Sequence, residues 1–368
     1  MKNWFEIDNV DELDSPFLMV FPDRVKENIR ILKEFIQDVT RLRPHVKTNK
    51  CSEVCQLMMD AGIKKFKAAT IAEAEMLAMI GAPDVLLAYQ PVGPRRFRLI
   101  QLIKKFPATK FACLVDNEVT AAELAAAAKE QGVTVNVFLD LNVGMNRTGI
   151  VPEQALPLFL YCQSLSSIMP IGLHAYDGHN RDADLATRTA GADEGYARVE
   201  KLHKAIVDQT GILATIVTSG NTTISIHAKR KNVECSPGTF IFWDYGYYKL
   251  FTEQHFVFAA ILVTRIISKP DAETICIDLG HKAVASENPL NQRIYFLNAP
   301  ELQPVGHSEE HLILKAEKGN AYKVGDVLYG VPFHVCPTVA LHETLAVVEN
   351  NNVIGSWNVV ARKRKISV

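Results

Sequence analysis

Between residue 16 and about residue 243, short apolar runs rich in β-branched residues alternate with longer stretches whose apolar positions recur at helical spacing. This alternation is typical of repeated βα units around a parallel sheet. The predicted helices include Asp23 to Ile36 and Asn117 to Gln131, and the second of these begins at a capping residue and ends before a glycine. The predicted strands are Pro16 to Phe21, Leu42 to Lys47, Lys65 to Ala69, Asp84 to Tyr89, Lys110 to Val115, Val135 to Leu141, Ile171 to Tyr176, Thr215 to Thr218 and Thr239 to Trp243.

Such units close into a (β/α)8 barrel of the TIM type, which takes about 250 residues. Nine predicted strands exceed the eight places of the barrel, so either the first or the last lies outside it. Catalytic groups in these barrels lie at the carboxyl ends of the strands and in the loops that follow. Polar residues collect at those ends here, which predicts a functional site on one rim of the barrel.

After about residue 250 the pattern changes to strands without long helices between them. We therefore predict two domains in the chain of 368 residues, a barrel over residues 16–250 and a β-rich domain over residues 251–368 that also includes residues 1–15. The predicted strands of the second domain are Phe256 to Ile267, Thr274 to Asp278, His311 to Lys315, Val327 to Gly330 and Leu345 to Glu349.

Composition narrows the class of protein. Forty basic and forty-one acidic residues nearly cancel, and no basic stripe is interleaved with aromatic residues, which argues against a nucleic-acid partner. The first residues lack the features of a signal peptide, and no apolar run approaches the roughly 18 residues of a membrane span. Seven cysteines without paired CxxC spacing fit reduced thiols, and Cys51 and Cys55 are interpreted as packing residues. We expect a soluble cytoplasmic protein.

Lys47 ends the predicted strand Leu42 to Lys47, where such a barrel delivers a catalytic group. A lysine amine forms an imine with a carbonyl cofactor only when it is uncharged, and partial burial and cationic neighbours favour that form. Arg43, His45 and Lys50 would be such neighbours. Considered alone, however, a lysine at a strand end is most often a surface residue.

Two turns late in the barrel have the composition of phosphate sites, because hydroxyl groups and glycines follow strands there. Each turn alone is more often only a turn, so this interpretation depends on Lys47. The residues that the turns offer are Ser219, Gly220, Asn221, Thr222, Ser236, Gly238 and Thr239.

Two further rim segments carry candidate side chains. Arg147 lies on a glycine-punctuated loop, where it is either a surface residue or a partner for a phenolate or phosphate oxygen. Tyr176 could stack on a planar cofactor, with barrel filler as the alternative. His179 could act as an acid or base, with a capping role as the alternative. Thr70 and Glu73 form a capping box, which we assign to structure.

His334 and Cys336 lie two residues apart on a predicted extended segment, which would place both side chains on one side. An imidazole and a thiolate can together bind zinc or a similar divalent metal, and two protein ligands leave open positions that suit catalysis. Taken alone, this spacing is common by chance.

Together these motifs resemble the D-threonine aldolase and D-serine dehydratase family, whose members have the alanine racemase type of fold (fold type III) and use pyridoxal 5'-phosphate. The resemblance spans nearly the whole chain. The segments that carry it are RPHVKTNK, AEAE, DLNVGMNRTG, GLHAYDGH, the SGN loop, SPGTF, DLGHKAV, SEEH and PFHVCPTVALHE.

The resemblance implies that Lys47 binds the cofactor covalently, that Tyr176 lies against its ring and that Arg147 lies near its phenolic oxygen. The turns at residues 219–222 and 238–239 would hold its phosphate. His334 and Cys336 would bind a divalent metal, either zinc or manganese or magnesium. The resemblance also implies a homodimer with composite active sites.

Two positions depart from the resembled patterns. Asn49 stands where the commonest family form has a histidine, and it cannot carry a proton. Ser236 stands where alanine racemases have an arginine beside the pyridine nitrogen. A neutral partner there, without a counterpart of the racemase's second catalytic tyrosine, makes racemisation the less favoured reaction.

The resulting hypothesis is a lyase for D-3-hydroxy amino acids in which the metal binds the substrate's β-hydroxyl. A D-threonine aldolase would break the Cα–Cβ bond and release glycine and an aldehyde. A dehydratase for D-serine or D-3-hydroxyaspartate would instead remove the α-proton and the hydroxyl. The overall match favours the aldolase, whereas the His-X-Cys pair favours the dehydratase. A non-catalytic barrel for pyridoxal phosphate homeostasis and an inert binding barrel are the remaining alternatives.

Overall fold

The computed structural model describes residues 3–368. Its strands in chain order are β1 (Phe17–Val20), β2 (Lys65–Ala68), β3 (Asp84–Leu87), β4 (Lys110–Val115), β5 (Val135–Asp140), β6 (Ile168–Ala175), β7 (Thr215–Thr218), β8 (Val233–Cys235), β9 (Ala260–Ser268), β10 (Thr274–Ile277), β11 (Ile294–Phe296), β12 (Gln303–His307), β13 (Leu312–Lys315), β14 (Val327–Pro332), β15 (Thr344–Glu349) and β16 (Asn352–Asn358).

The α-helices in chain order are α1 (Pro22–Ile36), α2 (Ser52–Asp60), α3 (Ile71–Met79), α4 (Pro94–Lys105), α5 (Glu118–Glu130), α6 (Ala155–Ser164), α7 (Leu185–Thr210), α8 (Ile224–His227), α9 (Tyr245–Leu250) and α10 (Val335–Leu341). No helix within residues 3–368 combines the length and the apolar composition that crossing a membrane requires.

The chain folds into two compact units. The barrel unit comprises residues 32–47, 55–238 and 363–368. The strand-rich unit comprises the residues up to 31 together with 48–54 and 239–362.

The barrel unit contains a curled parallel sheet in the order β2-β3-β4-β5-β6-β7-β8. Residues 42–46 close it, since Leu42 forms a bridge with Cys235 of β8 and His45 forms a bridge with Lys67 of β2. The predicted fold class is therefore confirmed as a curled sheet of seven parallel strands. The predicted strand Leu42 to Lys47 forms only isolated bridges, and β8 was not predicted. Of the nine predicted strands, the first pairs with β9 and β15 of the strand-rich unit, and the last is a 3₁₀ helix at Thr239–Ile241.

Side-chain capping hydrogen bonds determine where helices α3 and α5 begin. The Thr70 hydroxyl accepts a hydrogen bond from the Glu73 amide at 3.1 Å, and the Glu73 carboxylate accepts one from the Ala69 amide at 2.6 Å. The predicted capping box is thus present, with its second bond one residue earlier than expected. Asn117 caps α5 in the same way, accepting from the Thr120 amide at 2.9 Å.

The barrel interior has an apolar middle and a charged end. Leu86, Leu114, Phe138 and neighbouring side chains form the apolar core, and Phe138 occupies the space that any side chain at Gly172 would need. At the amino end of the strands, Arg43 binds Asp84 at 2.5 Å and Glu234 at 2.7 Å. These buried charges are paired, as burial requires.

The strand-rich unit is a mixed sheet in the order β12-β13-β10-β9-β1-β15-β16, with β14 beside β9 and β11 beside β14. Its apolar core combines residues from both ends of the chain, such as Phe5, Met19, Ile261, Val331 and Val348. The β-rich region predicted after residue 250 is confirmed, although β11, β12 and β16 were not predicted.

Candidate active site

Lys47 directly follows the segment that closes the barrel. The Arg43 amide donates to the Cys235 carbonyl at 2.9 Å and the Val46 amide donates to the Lys67 carbonyl at 2.9 Å, so both edges of the curled sheet hold this segment. The Lys47 side chain is exposed, and its amide lies 3.3 Å from Nδ1 of His45. The closing segment thus ends at an exposed lysine.

Tyr176 follows β6 on the same rim and lies against two glycines. A side chain at Gly178 would lie 2.2 Å from the Tyr176 hydroxyl, and one at Gly220 would lie 2.9 Å from the ring. Two cations approach the ring, since Lys67 Nζ and Arg147 Cζ each lie 5.4 Å from its centroid. The tyrosine is therefore positioned by close backbone contacts on a strongly cationic part of the rim.

The two predicted phosphate turns of the barrel unit are joined to each other. Ser219 has a positive φ of 65°, and the Gly238 amide donates to Asn221 Oδ1 at 2.9 Å. The hydroxyls of Thr222 and Ser236 are buried, and neither has a hydrogen-bond partner in the described part of the chain. Buried hydroxyls without partners are costly unless a ligand satisfies them. These turns therefore fit a phosphorylated cofactor.

Asp177, just after β6, holds the turn at residues 219–223 in place. It is buried and accepts hydrogen bonds from the Thr223 hydroxyl at 2.7 Å and from His227 Nε2 at 2.9 Å. Burial raises the pKa of the Asp177 carboxyl, but the hydrogen bond and charge of His227 outweigh burial and hold that pKa below its usual value. The ionised carboxylate ties α8 to the end of β6, which keeps the turn before α8 in place.

A group of buried polar side chains inside the barrel, which includes Lys67, His174 and Asp140, was not predicted from the sequence. Lys67 on β2 is 2% exposed, and on β6 the buried His174 lies with Nδ1 2.8 Å from Asp140 Oδ1. Burial, with the positive charges of Lys47 and Arg43, lowers the pKa of Lys67 to about 7. The available signal was strand alternation, because Lys65 and Lys67, like His174 and Tyr176, occupy positions two apart on one face.

Arg147 and His179, two further predicted rim residues, are exposed. Arg147 lies on the loop after β5, which the bridge between Leu141 and Ile150 closes at its base. His179 lies against the same loop, since a side chain at Gly144 would lie 2.5 Å from His179 Nε2. Both residues are therefore accessible to a ligand on the rim. Thr239 belongs to the strand-rich unit, and its hydroxyl lies 3.7 Å from Cys336 Sγ.

His334 and Cys336 form a pair in the strand-rich unit, but the segment is not extended as predicted. His334 is the N-cap of α10, and Cys336 lies in the first turn of that helix. The two side chains nevertheless hydrogen-bond each other. Thr48, which follows Lys47 in the chain, lies with its hydroxyl 3.1 Å from Cys336 Sγ.

Acidic residues surround His334. Glu287 binds its Nδ1, and Asp244 accepts a hydrogen bond from the amide of Val335 at 3.1 Å. Burial works against the charged imidazole, but the hydrogen bond and charge of Cys336, followed by Asp244 and Glu287, raise the pKa of His334 to about 9. This excess of negative charge suits a cation.

The donor set fits a divalent metal of the zinc type, because it combines an imidazole nitrogen and a thiol sulfur. Over residues 3–368, no three His, Cys, Asp or Glu side chains are grouped to hold a metal ion. His334 and Cys336 would therefore leave the other coordination positions to water or substrate. A carboxylate on the second imidazole nitrogen, as Glu287 provides, orients such a ligand.

Comparison with protein families gives two matches. The family described as "Alanine racemase, N-terminal domain" matches residues 20–246. The family described as "Putative serine dehydratase domain" matches residues 259–348. The matches follow one another along the chain without overlap.

Individual proteins extend the likeness over the whole chain. D-threonine aldolase of Arthrobacter sp is 27% identical over 364 residues, which cover 96% of this chain and 94% of that protein. The crystal structure of D-threonine aldolase from Filomicrobium marinum has a TM-score of 0.88 at 24% identity and covers 96% of both chains.

D-threo-3-hydroxyaspartate dehydratase from Delftia sp. HT23 has a TM-score of 0.82 at 22% identity, with 94% of this chain and 97% of that chain covered. Its solved variants include one with a histidine replaced and one, in the metal-free form, with a cysteine replaced two positions later. At this level of identity, both solved structures show a shared fold.

Proposed function

Since the chain belongs to the family of the alanine racemase N-terminal domain, we propose that it is a lyase for D-3-hydroxy amino acids that depends on pyridoxal 5'-phosphate and a divalent metal. Within that class we propose a D-threonine aldolase, which cleaves the Cα–Cβ bond to give glycine and acetaldehyde. The observation that supports the proposal is the rim of the barrel, where Lys47, Tyr176 and the two joined turns all follow segments of the curled sheet.

The barrel unit would hold the cofactor through groups of different chemistry. Lys47 supplies the amine for the covalent bond to the cofactor's carbonyl carbon. The hydroxyls of Thr222 and Ser236 offer hydrogen bonds that residues 3–368 do not use, and the glycines beside Tyr176 let its ring pack closely against the backbone of the rim. When bound, pyridoxal phosphate withdraws the electron pair that bond cleavage leaves on the substrate's α-carbon.

The chain's own groups manage protons and orientation. After the substrate amine takes the place of Lys47, the freed Nζ can hold or return a proton at the α-carbon. Arg147 and Tyr176 would orient the ring, and His179 is an exposed proton carrier on the rim. His334 and Cys336 would hold a metal whose chemistry is to lower the pKa of a bound hydroxyl.

A dehydratase is the second candidate, and a specific feature favours it. His334 and Cys336 have the same spacing as the histidine and cysteine replaced in the Delftia dehydratase variants, one of which is metal-free. That reaction removes the α-proton and the β-hydroxyl as water, and the product hydrolyses to a 2-oxo acid and ammonia. A non-catalytic barrel is less favoured, because the chain adds a second matching domain with a metal-type pair.

The test is an assay of the protein loaded with pyridoxal phosphate and zinc or manganese. We expect D-threonine to yield equal amounts of glycine and acetaldehyde, and D-serine to yield little pyruvate. Pyruvate from D-serine without glycine from D-threonine would replace the aldolase by the dehydratase. Bound cofactor without turnover of either amino acid would favour a homeostasis protein, and no bound cofactor would favour an inert barrel.

A further inference from the structure

Lys67 differs from buried charges such as Arg43 and Asp177, because no described residue pairs with it. Two residues earlier on the same strand face, Lys65 pairs with Glu234. The Lys67 side chain is 2% exposed, yet in residues 3–368 its Nζ forms neither a hydrogen bond nor an ion pair. The centroid of the Tyr176 ring lies 5.4 Å from its Nζ. A buried cation without a counter-ion is costly, and this cost calls for an explanation.

The carboxylates near Lys67 do not neutralise its positive charge, because other side chains already bind them. Asp140 already binds His174 at 2.8 Å and Gln90 at 2.9 Å. Asp177 is used by Thr223 and His227. Lys47 and Arg43 add positive charge, and together with burial they lower the pKa of Lys67 to about 7.

A second cation approaches the same ring. Arg147 Cζ lies 5.4 Å from the Tyr176 centroid, and among the described residues its guanidinium forms no ion pair with an acidic side chain. Close to this ring in the sequence, His174 keeps a buried Nε2 without a hydrogen-bond partner among residues 3–368. Charges of Lys67 and Arg147 both act on His174, and burial is the larger cause that lowers the pKa of its imidazole.

We propose that Lys67 supplies a second cation, in addition to Arg147, to a subsite for an oxyanion near the Tyr176 ring. Two cations near one ring, neither of which forms an ion pair with an acidic side chain within residues 3–368, can bind an anionic oxygen through charge-assisted hydrogen bonds. Two sources fit this chemistry, namely the phenolic oxygen of the cofactor and a second carboxylate on the substrate's side chain. The subsite rests on the proposed function, because it assigns a ligand group of that same site.

The experiment compares wild-type holoenzyme with Lys67→Met and Lys67→Arg. The matched control is Lys65→Met, which makes the same chemical change two residues away on the same strand. The first arm follows the cofactor's absorbance from pH 6 to pH 10. If Lys67 serves the phenolic oxygen, Lys67→Met moves the midpoint of the spectral change by about one pH unit or more, while Lys67→Arg stays near the wild type.

The second arm titrates the same spectra with D-alanine and with D-aspartate. If Lys67 binds a side-chain carboxylate, Lys67→Met weakens the binding of D-aspartate by about tenfold or more relative to that of D-alanine. A loss of this size is expected when a hydrogen bond to a charged group is removed. Lys67→Arg should retain most of the preference. Lys65→Met should leave the ratio unchanged.

The subsite is refuted if Lys67→Met changes neither the spectral midpoint nor the D-aspartate to D-alanine ratio by more than about twofold. Thermal unfolding of each variant without cofactor establishes that it is folded, and Lys67→Gln replaces Lys67→Met if the latter is not. An active wild type with unaltered variants refutes the subsite alone. A wild type that binds the cofactor but turns over no D-3-hydroxy amino acid refutes the proposed function, and one without a cofactor spectrum refutes both.

Discussion

The barrel rim and the His334–Cys336 pair are built in opposite ways. On the rim, Ser219, Asn221, Thr222 and Ser236 are each at most 4% exposed, and a hydrogen bond from Gly238 joins the two turns. The His334 side chain, in contrast, is 45% exposed, and within residues 3–368 it belongs to no group of three side chains that could hold a metal ion.

The difference fits the tasks of the two regions. A cofactor that stays through every turnover benefits from a rigid cradle whose buried hydroxyls are satisfied only when it is bound. A metal that must bind a reacting group needs coordination positions that the protein does not fill. If this comparison is right, damage to each region should remove one ligand and leave the other.

The largest effect is expected for Lys47→Ala. Loss of the amine should remove the covalent bond to the cofactor, and with it the visible absorbance band and about 10³-fold or more of the turnover rate. Metal content, measured by mass spectrometry, should not change. Lys64→Ala, an exposed lysine before β2, is the control. A band that survived unaltered in Lys47→Ala would overturn the assignment of this lysine.

The next effect concerns the metal pair. His334→Ala and Cys336→Ala should each lose bound metal and reduce turnover by about 10²- to 10³-fold, equivalent to several kcal/mol of lost transition-state stabilisation. The cofactor band should remain. Cys276→Ala removes another partly exposed cysteine of the strand-rich unit and should have neither effect. Simultaneous loss of the band would contradict the independence of the two regions.

Substitution of Glu287, which contacts His334, should affect metal binding less than loss of His334 or Cys336. Glu287→Gln removes the negative charge that holds Nδ1 of His334, and metal affinity should fall by about 10- to 100-fold, as is usual for such supporting carboxylates. Competition with a metal chelator measures this, with the exposed Glu343→Gln as control. An unchanged affinity would mean that Glu287 has no role in orienting the histidine.

A further prediction concerns the buried hydroxyls of the two turns that we propose hold the cofactor's phosphate. Thr222→Val should weaken cofactor binding by about tenfold, because one hydrogen bond to a charged phosphate is lost. Without cofactor, its unfolding temperature should stay close to wild type, since the hydroxyl has no protein partner in the described chain. Thr218→Val is the contrast, because its hydroxyl bonds the Ala175 carbonyl at 2.9 Å, so stability should fall with and without cofactor. The opposite pattern would assign Thr222 to structure.

The last expected effect is a pH dependence of the stability of the cofactor-free protein. The pKa of Lys67 falls from 10.5 to about 7 in the folded protein, so between these values the unfolded chain binds the extra proton. The free energy of unfolding of the cofactor-free protein should therefore rise with pH in this window, by at most about 1.4 kcal/mol per pH unit. Denaturant titrations of Lys67→Met should lack this contribution. An equal slope in both proteins would contradict a buried, uncompensated lysine.

Much of the barrel could be predicted because local signals agreed there. Continuous apolar runs marked the parallel strands, and Thr70 and Asn117 marked helix starts. The run at 239–243 misled because a short buried apolar segment has the same composition as a strand. The first strand formed, but its partners β9 and β15 are distant in sequence, so periodicity could not assign its sheet.

The candidate site could likewise be predicted only where local sequence signals existed. Lys47 and the turns were found because they end predicted strands, whereas a lysine within a strand, such as Lys67, suggests an exposed face rather than a barrel interior. Cys336 was assigned to an extended segment although Pro337 follows it, and a proline is well tolerated in the first turn of a helix. Partners from distant segments, such as Glu287 for His334, leave no local signal.

The most direct test of the two-region account is the reaction of D-threonine with holoenzyme before and after a chelator removes the metal. We predict that the metal-loaded enzyme forms equal amounts of glycine and acetaldehyde. The stripped enzyme should keep its cofactor absorbance, form neither product, and recover when zinc or manganese is restored. Undiminished glycine production by the metal-free enzyme would contradict the account.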